Sequence, residues 1–309
     1  MNEATTTLTR AGRSRVSGVQ YGTAQKQFNI SDAVGFIYPT PPLPEQRAIA
    51  AALSDVDALL AGLDRLIAKK RDLKQATMQQ LLTGRRRLPG YDLSDGQMKP
   101  TEIGEIPGDW PVSRLGDLID PQRGIRYGIV QPGRHDPSGR FMVRGQDYSE
   151  VKGWADPASV FRVSSVIEEP YRNSRVKSGD LIMTIVGYCG HVEIIPDWLD
   201  GANLTQTTAR IAISPSKAVS IFCKYALLSA AGKAQVNAYM KGAAQPGLNC
   251  GDIEKFLVPA PPIDEQTAIA AVLSDMDAEL TALEARHNKT RALKQAMMQE
   301  LLTGRIRLV

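Results

Sequence analysis

The 309 residues include three cysteines, three histidines and 6% aromatic side chains, and each shortage closes off a class of function. Cys189, Cys223 and Cys250 are odd in number and lack metal-ligand spacing, so they read as free thiols of a reducing cytoplasm rather than a disulfide framework. With His135, His191 and His287 alone, a histidine-based catalytic or metal site has little to draw on. No run approaches the roughly 18 apolar residues of a membrane helix, and Met1 to Val16 has no apolar stretch of the secretory kind. Net charge is +4, so a basic coat is missing and any nucleic-acid binding has to come from local patches. The phosphate-cradling Gly-x-x-x-x-Gly-Lys-Ser/Thr loop is absent, as is the Asn/Asp-Pro-Pro-aromatic motif that holds an adenine for alkylation. The close carboxylates Asp55/Asp57 and Glu168/Glu169 lack the framework that separates a general acid from a base, and read as solvated surface. These absences point to a chain without catalytic chemistry.

What is present is a repeat. Pro41-Pro42-Leu43-Pro44-Glu45-Gln46 opens a run ending Leu81-Leu82-Thr83-Gly84-Arg85, and Pro261-Pro262-Ile263-Asp264-Glu265-Gln266 opens another ending Leu301-Leu302-Thr303-Gly304-Arg305. From Pro41–Leu88 to Pro261–Leu308 one offset of 220 leaves about 30 of 48 positions identical. Two copies so far apart exclude a solenoid. The offset extends backwards, with Asn29, Asp32 and Phe36 matching Asn249, Asp252 and Phe256. Residues 1–40 therefore read as the last part of a first domain, residues 41–88 and 261–309 as two helical spacers, and residues 89–260 as a complete domain. On this reading the chain is a shortened form of a longer two-copy protein, and Phe28, Ile30, Phe36 and Ile37 form an apolar stump.

Pro44 to Thr83 is predicted to be a single helix, with Glu45 at its positive end, Gly84 as its cap and Arg85, Arg86 and Arg87 at its negative end. Its apolar residues Ile49, Leu53, Val56, Leu60, Leu63 and Ile67 alternate steps of four and three, the spacing of a coiled-coil seam. The second copy repeats the seam as Ile269, Leu273, Met276, Leu280 and Leu283. Continuing the register brings in Lys70, Lys74 and Thr77, and His287, Thr290 and Lys294. Such a polar block either fixes register or marks where the helices part or meet another chain.

Between the spacers the pattern is that of a mixed α/β domain. Strands are predicted over Leu181–Val186, Val192–Ile195 and Thr207–Ile213, and one helix over Ala218–Met240. Between Pro121 and Gln146 stand Arg123, Arg126, Arg134, Arg140 and Arg144 against the single carboxylate Asp136. Arginine both neutralises phosphates and reads guanine edges bidentately, and Tyr127, Gln131, His135 and Gln146 interleave base-edge donors and acceptors. Two later loops, with Tyr188 and His191 and with Asn203, Thr205 and Gln206, carry similar chemistry.

These residues resemble the specificity subunits of type I restriction-modification systems, in which target-recognition domains alternate with helical spacers. The spacer ends match, Gly104-Glu105-Ile106-Pro107-Gly108-Asp109-Trp110 with Arg114-Leu115-Gly116 resembles the entrance to a recognition domain, and Tyr127 to Gly133 and Ser178 to Ile182 resemble its segments. The resemblance implies a mixed α/β recognition domain flanked by two long antiparallel helices, in a non-catalytic protein that binds double-stranded DNA. It also implies methyltransferase subunits and a restriction and translocation subunit as partners. S-adenosylmethionine, ATP and Mg would be used in those partners and no cofactor in this chain. With one complete recognition domain the chain is expected to read one half of a bipartite target, a homodimer restoring the other half as an interrupted palindrome. Its alternative is a truncated or silent subunit that keeps the methyltransferase contact and lacks DNA recognition of its own.

Overall fold

The computed structural model describes residues 14, 16–23, 25–27, 29–36, 40–91, 96–149, 153–242 and 246–308. The chain splits into two compact units, Met1–Leu73 with Met276–Val309, and Lys74–Asp275. Of the expected apolar stump, Phe28 and Ile37 lie outside the described residues, while Ile30 is 85% exposed and Phe36 half-buried. The local structure before the first spacer repeats that before the second. A bridge Tyr21↔Gln27 corresponds to Lys241↔Gly247, and the short helix Ile30–Val34 to the helix Cys250–Ile253, both at the sequence offset of 220.

Two long helices, Leu43–Leu82 and Ile263–Leu301, contribute to both units. Strong helix formers fill them, and each ends at a glycine with positive φ, Gly84 at 63° and Gly304 at 76°. In the first unit the helices run antiparallel, as the polar contacts between them read in opposite directions: Asp57 with Lys294, Asp64 with His287, Lys70 with Glu279. The predicted seam faces inward. Leu63 and Ile67 are 4% and 7% exposed, Leu280 is 8%, and Val56, Leu60, Met276 and Leu283 are half-buried. Ile49 and Leu53 pack with Met298, Leu301 and Leu302. The polar block resolves in favour of register: His287 and Lys294 each meet a carboxylate of the facing helix. Exposed pairs of this kind add under about 1 kcal/mol apiece, so their effect is on alignment more than on stability.

The second unit is the mixed α/β domain. It begins with a hairpin of β1 (Met98–Thr101) and β2 (Gly104–Pro107), followed by β3 (Val112–Arg114), which pairs with the last strand, β13 (Leu257–Pro259). The central antiparallel sheet has the order β10 (Val192–Ile194), β9 (Leu181–Thr184), β12 (Thr208–Ile211), β4 (Ile125–Tyr127). A three-stranded sheet lies beside it in the order β11 (Asn203–Leu204), β5 (Arg140–Val143), β8 (Arg162–Val163), with β11 parallel to β5. β6 (Tyr148–Ser149) and β7 (Gly153–Trp154) form a further pair. Val143, Tyr148, Val176, Ile182, Leu199 and Leu204 pack together in one of its hydrophobic clusters. Each such side chain contributes about 1.5–3 kcal/mol on burial.

The single helix predicted over Ala218–Met240 is two, Ser220–Leu228 and Ala230–Tyr239. Ser229 ends the first and caps the second, its hydroxyl accepting from the Gly232 N–H at 3.2 Å. A serine cap inside an otherwise helical pattern competes with continuation of the helix. The start of the second long helix docks here, where Gln266 accepts from the Val219 N–H at 2.9 Å.

Candidate nucleic-acid interface

Strand direction in the second unit decides what its loops can do. β4, β9 and the parallel pair β5 and β11 all end where β12 begins, so the segments leaving them gather along one edge. Backbone bonds tie these segments together. Gly128 N–H donates to Thr205 O at 3.1 Å, Gln206 N–H to Ile129 O at 3.0 Å, Thr205 N–H to Val143 O at 3.1 Å, and Ile185 N–H to Thr207 O at 2.8 Å. The contact at Gly128 requires glycine, since a Cβ there would stand 1.8 Å from the Leu204 carbonyl oxygen.

On this edge Gln131, Gln146 and Gln206 are exposed and Tyr188 is 82% exposed. Among the described residues no protein group engages the three glutamine amides. Each amide therefore offers one acceptor and two donors to a partner, the pattern that matches the N6/N7 edge of adenine. Arg126 and Tyr127 are exposed on β4, the outer strand of the central sheet, and Arg134 is exposed beyond it. Arg126 and Arg134 form no ion pair among the described residues.

The remaining expected residues are spent inside the domain. Arg123 forms a two-pronged pair with Asp180 at 2.5 and 2.6 Å, Arg144 pairs with the buried Asp147 at 2.8 Å, and Arg140 lies 3.4 Å from Glu168. The five arginines thus do not act as one basic stretch, because partner carboxylates arrive from elsewhere in the sequence. Asn203 is fully buried, donating to Glu168 at 2.9 Å and to the Tyr171 carbonyl at 3.0 Å. His191 is buried with its ring stacked on Tyr148 at 5.0 Å, and Thr205 is paired with Thr207 at 2.8 Å. His135 accepts from the Arg162 N–H. Of these, Arg144, His191 and Thr205 stand at the loop edge, whereas Arg123 and Arg140 lie at the opposite end of their strands.

Sequence reasoning missed two buried charges. Glu168, expected on a solvated surface, is 1% exposed and accepts from Arg175 at 2.7 and 2.6 Å. Arg210 on β12 is 2% exposed; one nitrogen donates to the carbonyls of Asn173 and Arg175 at 2.9 and 2.7 Å, another to that of Arg123. Burial lowers its pKa to about 10. Its place in the run Thr208 to Ile211, otherwise buried and largely apolar, was the available signal. Glu168, Arg140, Arg162 and Arg175 also line a cleft of about 440 Å³ at the start of β5, away from the loop edge. Asp136, Glu169 and Asp200 line it as well, so positive and negative charges largely cancel there.

Burial pushes the Glu168 carboxyl up, but Arg175, Asn203 and Arg140 outweigh it and hold the pKa below the usual carboxylate range. A depressed native pKa contributes stability that is fully present above the unfolded value of about 4.3 and is lost as pH falls through the native one. Acid unfolding of the chain, followed by circular dichroism, is expected to lose part of its pH dependence in that window in Glu168→Gln. An unchanged acid limb would show that the carboxyl is not held as described.

Residues 107–292 match the family model described as "Type I restriction modification DNA specificity domain". The chain is 29% identical over 279 residues to the type I restriction enzyme EcoBI specificity subunit of Escherichia coli, an alignment covering 88% of this chain and 58% of that one. It is 27% identical over 277 residues to the type I restriction enzyme MjaVIII specificity subunit of Methanocaldococcus jannaschii, covering 87% and 62%. It thus spans about three fifths of the length of these relatives. Its fold is similar to that of the type I restriction-modification system S subunit from M. genitalium, with a TM-score of 0.59 at 15% identity over 95% of this chain and 70% of that one. A chain from a type I restriction-modification complex gives a TM-score of 0.56 at 18% identity, covering 94% and 67%.

Proposed function

Because the chain belongs to the type I restriction-modification DNA specificity domain family, we propose that it selects the DNA sequence on which other subunits act. The observation that carries this reading is the shared edge of strand ends with Gln131, Gln146, Tyr188 and Gln206 exposed along it. On this reading residues 89–260 form the complete recognition domain, residues 41–88 and 261–309 the spacers, and residues 1–40 the end of another domain. Arg126 and Arg134 hold phosphates, Tyr127 and Tyr188 lie against the duplex, and the glutamines read base edges in the major groove. Arg144, His191 and Thr205 set the loops, and Arg123, Arg140 and Asn203 tie the domain together at the starts of their strands.

The long helices offer the surface for methyltransferase subunits, and a restriction and translocation subunit joins for cleavage. Reaction steps that use S-adenosylmethionine, ATP and Mg belong to those partners, in the cytoplasm. This chain supplies recognition and scaffolding and no catalytic group. One domain reads one half-site, and two chains related by a two-fold axis would read an interrupted palindrome.

The test is selection from a random-sequence duplex pool by gel shift, with the chain alone and with methyltransferase subunit. Enrichment of a short motif, with affinity falling steeply as salt rises, is the expected result. A pool that emerges unenriched at low salt sinks the reading. Gln131→Ala and Gln206→Ala should each remove about 1–3 kcal/mol and relax preference at one position, whereas Arg126→Ala should weaken all sequences alike.

A further inference from the structure

The edge that presents the glutamines also presents an aliphatic side chain, Val130, to which the reading above gives no task. Ile129, Val143, Ile185 and Leu204, at the same strand ends, are at most 4% exposed, whereas Val130 is 43% exposed.

Register explains why Val130 faces out. Ile129 bridges Thr205 in parallel, and both residues are buried. The Ile129 N–H donates to Leu204 O at 2.7 Å, and the Ile129 carbonyl accepts from the Gln206 N–H at 3.0 Å. Successive side chains of extended backbone point to opposite faces, so the next residue on each segment turns outward. These two residues are Val130 and Gln206, and both are exposed. Paired segments stand about 4.8 Å apart, which brings the valine methyls and the glutamine amide to one base pair or to adjacent ones. Gln131 follows directly, and Pro132 behind it disfavours a helical turn. Gly133 then lies against Ile167, whose Cδ1 would stand 2.8 Å from a Cβ built there. The Val-Gln couplet is thus held on both sides, and little ordering remains to be done on binding.

A single exposed valine is ordinary on a protein surface. This one stands beside Gln131 and Gln206, whose amides no protein group engages among the described residues. The combination matches the major-groove edge of an A·T pair, which offers adenine N6 and N7 to an amide and the thymine C5-methyl to an apolar group. We propose that Val130 is a specificity-determining residue that packs on the C5-methyl of a thymine, with Gln206 or Gln131 reading the adenine of the same or the adjacent pair. The half-site therefore contains an A·T pair at that position, and a cytosine there is disfavoured because it has no methyl group. This inference rests on the DNA-selecting function proposed above and adds one residue and one base to it.

The test takes the motif enriched by the gel-shift selection and replaces its thymines one at a time by deoxyuridine, which removes the C5-methyl and keeps the pairing. At one position the wild-type chain is expected to bind the uracil duplex about fourfold more weakly, the weight of one buried methyl group. Val130→Ala should bind the thymine duplex more weakly by a similar factor and be indifferent to uracil at that position. Circular dichroism checks that this exposed substitution leaves the fold intact. Uracil tolerated at every position by the wild-type chain overturns the inference, as does a motif without an A·T pair or a uracil penalty that persists undiminished in Val130→Ala. In those three cases a motif has been enriched and DNA selection stands. A pool left unenriched instead fails DNA selection itself, and this inference with it.

Discussion

Replacing Glu265 with alanine is expected to lower the unfolding free energy by about 3–5 kcal/mol, because a buried ion pair that loses one partner leaves the other charge with only the half-exposed Asp109 and strands the Trp110 indole N–H. Glu265 is fully buried, accepts twice from Arg87 and once from the Trp110 indole, and no water reaches it to replace those bonds. After the substitution Arg87 keeps only Asp109, and the indole N–H keeps nothing. Glu45→Ala removes the sequence-equivalent group, but its partner Arg307 is largely exposed and returns to water. Its loss should be clearly smaller. Thermal unfolding of the two variants side by side measures the difference, and equal losses would refute the argument from burial.

Arg210→Ala should be comparably damaging, about 3–5 kcal/mol, because it combines a cavity with two stranded backbone acceptors and a third left with one long bond. The carbonyls of Arg123 and Asn173 receive their side-chain donor from this guanidinium alone, and that of Arg175 keeps a longer bond from Arg123 at 3.4 Å. Arg210→Met refills most of the volume and isolates the hydrogen-bonding share, so urea denaturation should place it between wild type and alanine. A second readout follows from register, since Arg210 stands opposite Arg126 on the neighbouring strand. Loosening β4 there should weaken DNA binding although Arg210 itself is buried. If both variants match the wild type, the buried arginine carries no structural burden.

The helices were legible in the sequence because their signals are local. Ile49 to Ile67 and Ile269 to Leu283 state a seam within a few turns, and Gly84 and Gly304 mark the ends by a backbone angle that other residues resist. Pairings across long separations were not legible. Arg87 and Glu45 read naturally as complements to a helix dipole, whereas each reaches a residue of the opposite spacer. Their shared offset was the clue, since both positions are identical in the two copies. The arginine-rich stretch misled for a related reason: counting charge within it ignores Asp180 and Glu168, which strand pairing delivers from farther along the chain. Asn203 has the right chemistry to read adenine and the wrong location, because both residues of its short strand are buried.

The split of the first unit across the chain has a consequence for synthesis. Its two parts, Met1–Leu73 and Met276–Val309, are separated by about 200 residues. At about 5–20 residues per second a ribosome needs about 10–40 s to cover that interval. Throughout it, Ile49, Leu53, Leu63 and Ile67 have emerged before the helix face that buries them. A nascent chain is thus exposed to aggregation, or to capture by a chaperone, for far longer than a helix takes to form, and a ribosome that stalls before residue 276 leaves a product with a bare apolar stripe.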